Sequence, residues 1–100
     1  MNKGTFSFQA KVWIYQGMGA WYFVTLPSDR SEVIKELYGW GKRGFGSIRA
    51  EVTIGNTQWK TSIFPDSKSN SYILPLKAFV RKQEGINNHD TVSVKISLLV

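Results

Sequence analysis

Apolar and polar residues alternate one for one over long parts of this chain, and that alternation lays out most of its architecture. Phe6, Phe8, Ala10, Val12 and Ile14 take turns with Ser7, Gln9, Lys11, Trp13 and Tyr15. A period of two marks a half-buried strand, because successive side chains leave a pleated backbone on opposite faces. Gly17-Met18-Gly19 supplies the permissive backbone for a reversal, and Ala20 to Leu26, aromatic and β-branched, reads as the returning strand of a hairpin. From Ser47 the period returns, with Ile48, Ala50, Val52 and Ile54 inward and Ser47, Arg49, Glu51 and Thr53 outward. Gly55-Asn56 turns the chain into a fourth strand, Thr57 to Phe64, and Pro65 to Asn70 reads as an exposed polar loop. Tyr72 to Leu74 is a short fifth strand. In the sixth, Val92, Val94, Ile96 and Leu98 alternate with Thr91, Ser93, Lys95 and Ser97.

Between these strands the period changes twice to that of a helix. Pro27 has no N–H for a ladder and ends the second strand, after which Asp29 and Glu32 have the spacing of a capping box. Val33, Ile34 and Leu37 fall on one side of a short helix, and Gly39 with Trp40 fits its left-handed stop. The second half repeats the device. Pro75 ends a strand, Leu76, Phe79 and Val80 share one helical face while Lys77, Arg81, Lys82 and Glu84 point away, and Gly85 with Ile86 closes the helix. Two segments, each reading strand, Leu-Pro, helix, glycine, strand, predict a mainly β fold in one domain over residues 1–100. The expected form is a small double-split barrel of about six strands, with a pseudo-two-fold axis and two short helices. Closure removes the exposed edges that an open sheet would leave. An open α+β sheet with both helices on one face is the competing architecture.

Composition narrows the chemistry. One hundred residues, 42% of them hydrophobic, suffice for a single core. There is no cysteine, which excludes disulfides, thiolate nucleophiles and cysteine-bearing zinc sites. The one histidine is His89, and the seven acidic residues are scattered, so neither a metal nor a cofactor is expected. No long apolar run is present, so no membrane span is expected, and with no secretory pattern at Met1 to Thr5 the cytoplasm is the default compartment. A net charge of +6 and a pI near 9.8 favour attraction to polyanions without defining a site.

Three groups of residues carry candidate chemistry. Lys42, Arg43, Gly44, Phe45 and Gly46, running into Arg49, form a basic glycine-rich loop. Backbone amides in such a turn can form an anion-binding concavity, with guanidinium groups as bidentate partners. The loop precedes a strand and lacks a Lys-Ser or Lys-Thr end, so it is not a P-loop; its structural alternative is a turn needing glycine dihedrals while Phe45 plugs one end of the barrel. Lys77, Arg81 and Lys82 give a basic face late in the second helix, for phosphate contact or simply for solvation, and Lys60 adds charge on the fourth strand. Trp13, Tyr15, Trp21, Phe23, Trp40 and Trp59 exceed what the inward stripes need. They read either as a second packed layer under the helices or as a stacking platform for single-stranded nucleic acid or a sugar. His89-Asp90 beside Thr91 and Ser93 lacks the spacing of a catalytic triad or nucleophile elbow.

Four ordered motifs also carry a resemblance: Trp21 to Pro27, Arg43 to Ile48, Trp59 to Pro65, and Tyr72 to Lys77 followed by Val80-Arg81-Lys82. Together they resemble the family catalogued as domain of unknown function 1905, from about Phe6 to the end of the chain. The resemblance implies a double-split β-barrel, related in architecture to the swapped-hairpin barrels of some dimeric bacterial transcription regulators and antitoxins. It carries no activity and no catalytic residues. Relatives tend to have Gly-Asp where this chain has His89-Asp90, which implies a less relaxed turn here. One chain holds both halves, so a monomer is expected, with a homodimer the alternative. The functional expectation is a non-enzymatic binding module that meets a polyanion such as nucleic acid through its basic loop. The rival is a small-ligand or protein-interaction barrel with an aromatic-lined mouth.

Overall fold

A computed structural model describes residues 4–17, 19–38 and 46–99. The chain runs β1 (Thr5–Gly17), β2 (Gly19–Thr25), α1 (Ser28–Tyr38), β3 (Ile48–Ile54), β4 (Thr57–Asp66), β5 (Ser71–Pro75), α2 (Ala78–Glu84) and β6 (Thr91–Leu98). Every neighbouring pair of strands is antiparallel, and the order β1-β2-β5-β4-β3-β6 closes back on β1. The barrel, not the open sheet, is the architecture. Two long strands make closure possible. β1 pairs with β6 from Thr5 to Lys11 and with β2 from Val12 to Gly17, while β4 pairs with β3 from Thr57 to Ile63 and with β5 from Phe64 to Asp66. Each is thereby shared between two parts of the wall, and every described strand has a neighbour on both sides. Pro65 and Asp66, expected in the loop, extend β4, because Pro65 sits opposite Tyr72 at the strand's end.

The duplication is present in the ring itself. Exchanging β1 with β4, β2 with β5 and β3 with β6 returns the same set of neighbours. Hydrogen bonds repeat under the same exchange: Leu26 N–H donates to the Tyr72 carbonyl and Leu76 N–H to the Tyr22 carbonyl. Arg30 and Ser31 donate to the Pro27 carbonyl as Val80 and Arg81 donate to that of Lys77. These equivalences correct the sequence alignment of the halves. Leu26 corresponds to Leu76, not Leu74, so Pro27 occupies the position of Lys77 and Pro75 that of Thr25. The two prolines end strands at non-equivalent places, and the repeat lies in strand order and backbone bonding.

The inward stripes largely follow the alternation: Phe6, Phe8, Val12, Val24, Ala50, Val52, Val94 and Ile96 all belong to one buried cluster, Ala10 packs against it partly buried, and Ile14 is only half-buried. The helices differ from expectation. In α1 the buried residues are Ser31 and Ile34, while Val33 and Leu37 are exposed. A polar network draws that face inward. The Ser31 and Ser71 hydroxyls are hydrogen-bonded to each other, Ser71 Oγ donates to the Leu26 carbonyl at 2.7 Å, and Tyr72 N–H donates to Ser31 Oγ at 3.1 Å. Asp29 makes no capping box; its carboxylate bonds the neighbouring Arg30, and the Pro27 carbonyl starts the helix instead. In α2, Val80 is buried, but Phe79 lies half-exposed with its ring edge-on to Trp59. Gly85 ends α2 at φ 63°, and Ile86 N–H reaches back to the Arg81 carbonyl beneath a buried Ile86 side chain, the expected stop. Gly39 and Trp40 lie outside the described residues. No helix among the described residues is long and apolar enough to cross a membrane.

Candidate ligand-binding site

On the wall opposite the core, the outward positions of β1 and β2 are aromatic. Trp13 pairs across the ladder with Phe23, and Tyr15 with Trp21, so one register places four rings on one face. Trp13 and Phe23 stack with centroids 5.0 Å apart, and Trp21 lies nearly parallel to Phe23 at 6.5 Å. The indole N–H of Trp13 donates to Thr25 Oγ1 at 2.9 Å, which holds that ring against the sheet. Ile73 of β5 continues the floor, and Asp66 at the end of β4 and Lys68 in the β4–β5 connection form the rim of a cleft of about 370 Å³. Asp66 is occupied, since its carboxylate accepts from the N–H and hydroxyl of Ser69. Trp21 is 57% exposed and Tyr15 51%. Large rings left this wet in a contiguous stripe are an apolar surface available to a ligand.

The aromatic residues therefore divide. Trp59 belongs to the core, Trp13 and Phe23 are half-buried, and Tyr15 and Trp21 depart from the packed second layer expected of them. Trp40 lies outside the described residues. The rings line a cleft on the outer wall of the barrel rather than its mouth. Lys68, Asp66 and Ile73 were missed by sequence reasoning, because only the pairing of β5 with both β2 and β4 brings the polar connection up to the aromatic stripe.

A second cleft, of about 270 Å³, lies on the other side of Trp21, lined also by Tyr22, Pro75, Leu76, Lys77 and Arg81. Arg81 does not point away as the helical pattern implied. Its guanidinium sits 3.9 Å from the centroid of the Tyr22 ring, and its Nε donates to the Leu76 carbonyl at 3.1 Å. Glu84 also turns inward, accepting from Asn56 N–H at 3.2 Å and Thr57 Oγ at 2.6 Å. Lys77 and Lys82 are exposed.

Of the remaining basic candidates, Lys42, Arg43, Gly44 and Phe45 lie outside the described residues. Gly46 has φ 70°, the left-handed backbone that favours glycine. Arg49 and Lys60 are both exposed on the outer face of β3 and β4, but Glu51 lies directly opposite Lys60 and interrupts the positive surface. The structure thus brings Arg49 near Lys60 and Lys77 near Arg81, on separate elements. His89 adopts φ 75°, and Asp90 accepts the Asn87 N–H at 2.7 Å, so the carboxylate ties its own turn. Among the described residues no cluster of three or more His, Cys, Asp or Glu is placed to hold a metal.

No curated protein matches the chain. The model of the family described as Domain of unknown function (DUF1905) matches residues 8–96. With that match covering most of the chain, from within β1 to within β6, this chain, a closed barrel carrying an aromatic cleft on its outer wall, belongs to the DUF1905 family.

Proposed function

We propose that this chain is a non-enzymatic binding module whose ligand site is the cleft lined by Trp13, Tyr15, Trp21 and Phe23, and that its ligand presents a flat apolar ring to Trp21. The exposure of Trp21 and Tyr15 in register with two stacked neighbours carries the reading. Ring stacking of this kind contributes roughly 0.5–1.5 kcal/mol per pair beyond the area it buries. The Trp13–Thr25 bond and the closed ladder beneath it hold the floor in place before a ligand arrives, which limits the entropy lost on binding.

Titration with the neutral planar probe 2-naphthalenemethanol, followed by amide NMR shifts, tests this. Shifts concentrated on Trp13, Tyr15, Trp21 and Phe23, lost in Trp21→Ala with stability changed by no more than about 1 kcal/mol, are expected. Absence of shifts in the wild type, or shifts scattered elsewhere, refutes it.

Polyanion binding is the second reading, supported by the net charge of +6 and by exposed Arg49, Lys60, Lys77 and Lys82. It separates from the first by salt. Affinity for a labelled single-stranded oligonucleotide must fall steeply as salt rises, whereas ring binding responds little.

A further inference from the structure

The second cleft adds charge to the first. Trp21 forms a wall of both, so a ligand ring seated on Trp21 has Lys77 and Arg81 on one flank and Lys68 on the other. Among the described residues lining the two clefts the one carboxylate is Asp66, already bonded twice by Ser69. Arg81 is fixed in a way that a surface arginine seldom is. Its guanidinium plane rests on Tyr22, and Nε is held by the Leu76 carbonyl, a backbone group anchored by Leu76 N–H donating to Tyr22. Its two terminal nitrogens have no hydrogen-bond partner among the described residues, and they belong to the fork that grips an oxyanion bidentately.

We propose that the cleft between β2, Pro75 and α2 is an oxyanion subsite, so that the ligand of the aromatic cleft is a planar ring bearing a carboxylate or phosphate. Arg81 is the specificity-determining contact and Lys77 its electrostatic support. This rests on the aromatic cleft being the ligand site. The order of recognition follows from the geometry: Trp21 takes the ring, and the guanidinium beyond it selects for the attached negative group.

The test compares 2-naphthoate and 2-naphthyl phosphate with neutral 2-naphthalenemethanol by fluorescence titration of the full chain. At low salt at least one oxyanion is expected to bind about tenfold more tightly than the neutral probe, as a charge-assisted bidentate contact allows. The tighter of the two identifies the group. Arg81→Gln should reduce that advantage to less than about threefold. Lys77→Gln, at an exposed position that leaves the Tyr22 contact intact, should reduce it part of the way. Trp21→Ala should weaken all three probes. Equal affinity for charged and neutral probes in the wild type, or an advantage that survives the Arg81→Gln, Lys77→Gln double variant, overturns the oxyanion subsite and leaves the ring cleft standing. Failure of all three probes to bind removes the ring cleft itself.

Discussion

His89 holds a backbone conformation that glycine adopts at no steric cost, and the reason is topological. Its N–H must reach the Val12 carbonyl while Asp90 presents its own carbonyl to Val12 N–H, and φ 75° lets both bonds form. A side chain there costs roughly 1 kcal/mol, partly offset by the entropy that a glycine would lose. His89→Gly should therefore raise the melting temperature by about 2–4 °C, as calorimetry can read. A lowered melting temperature would mean that the imidazole contributes contacts worth more than the strain. Tyr72 gives a pH signature of a different kind. It is fully buried, and burial raises its hydroxyl above the ordinary tyrosine value of 10.0. The unfolded chain then loses this proton first as pH rises, so the contribution to stability is complete below pH 10 and is lost above it. Tyr72→Phe should flatten the loss of stability as pH rises above 10 in denaturant titrations. A parallel decline in both proteins would contradict the assignment.

At the scale of elements, the two helices occupy equivalent places but are held by different chemistry. α1 is seated by hydroxyls: removing Ser31 Oγ takes a bond from Tyr72 N–H and a partner from the buried Ser71. Ser31→Ala should cost about 1–3 kcal/mol, measurable as a lower urea midpoint with unchanged slope. α2 is latched from its last turn, where Glu84 bridges to the β3–β4 turn. Gly55 in that turn has φ 58°, and a Cβ on it would fall within 2.0 Å of the Glu84 carboxylate. Glu84→Ala should cost about 1–2 kcal/mol and speed amide exchange in α2 more than in α1. Uniform acceleration across the barrel would show that α2 does not open as a unit. The stripes of the strands were legible from period alone, whereas the helix faces were not. Val33 and Leu37 fit an apolar face by spacing, but the buried face of α1 is that of Ser31 and Ile34, because a buried hydroxyl network fixes the helix's rotation.

For the whole molecule, closure sets the first and last described strands side by side. Thr5 pairs with Ser97, and Leu98 N–H donates to the Gly4 carbonyl. A circular permutant that joins the ends through a short glycine-serine linker and opens between Ser67 and Lys68, in an exposed turn, should fold to the same barrel. Its stability should fall by about 1–2 kcal/mol, since every ladder survives and loop closure depends only weakly on length. A permutant without native dispersion in its amide spectrum would show that the ring must close in its natural order. Closure also limits binding by strand addition: every described strand pairs on both sides over part of its length, so the outer wall offers mainly side chains to a ligand.

The sequence by itself determined the strands, their inward stripes, the two short helices and the doubling of the chain, because a period of two and the punctuation of glycine and proline are local properties. It also carried the aromatic surplus on β1 and β2. Only the tertiary structure decided what that surplus does. Whether Trp21 is covered depends on where α1 and α2 come to rest, and whether Arg81 faces water or Tyr22 depends on the Leu76 carbonyl that the β2–β5 ladder positions. The true offset of the repeat was likewise hidden, since Leu-Pro recurs at places that backbone hydrogen bonds show to be non-equivalent. Exposure and orientation are properties of the closed ring, and no alternation along one strand encodes them.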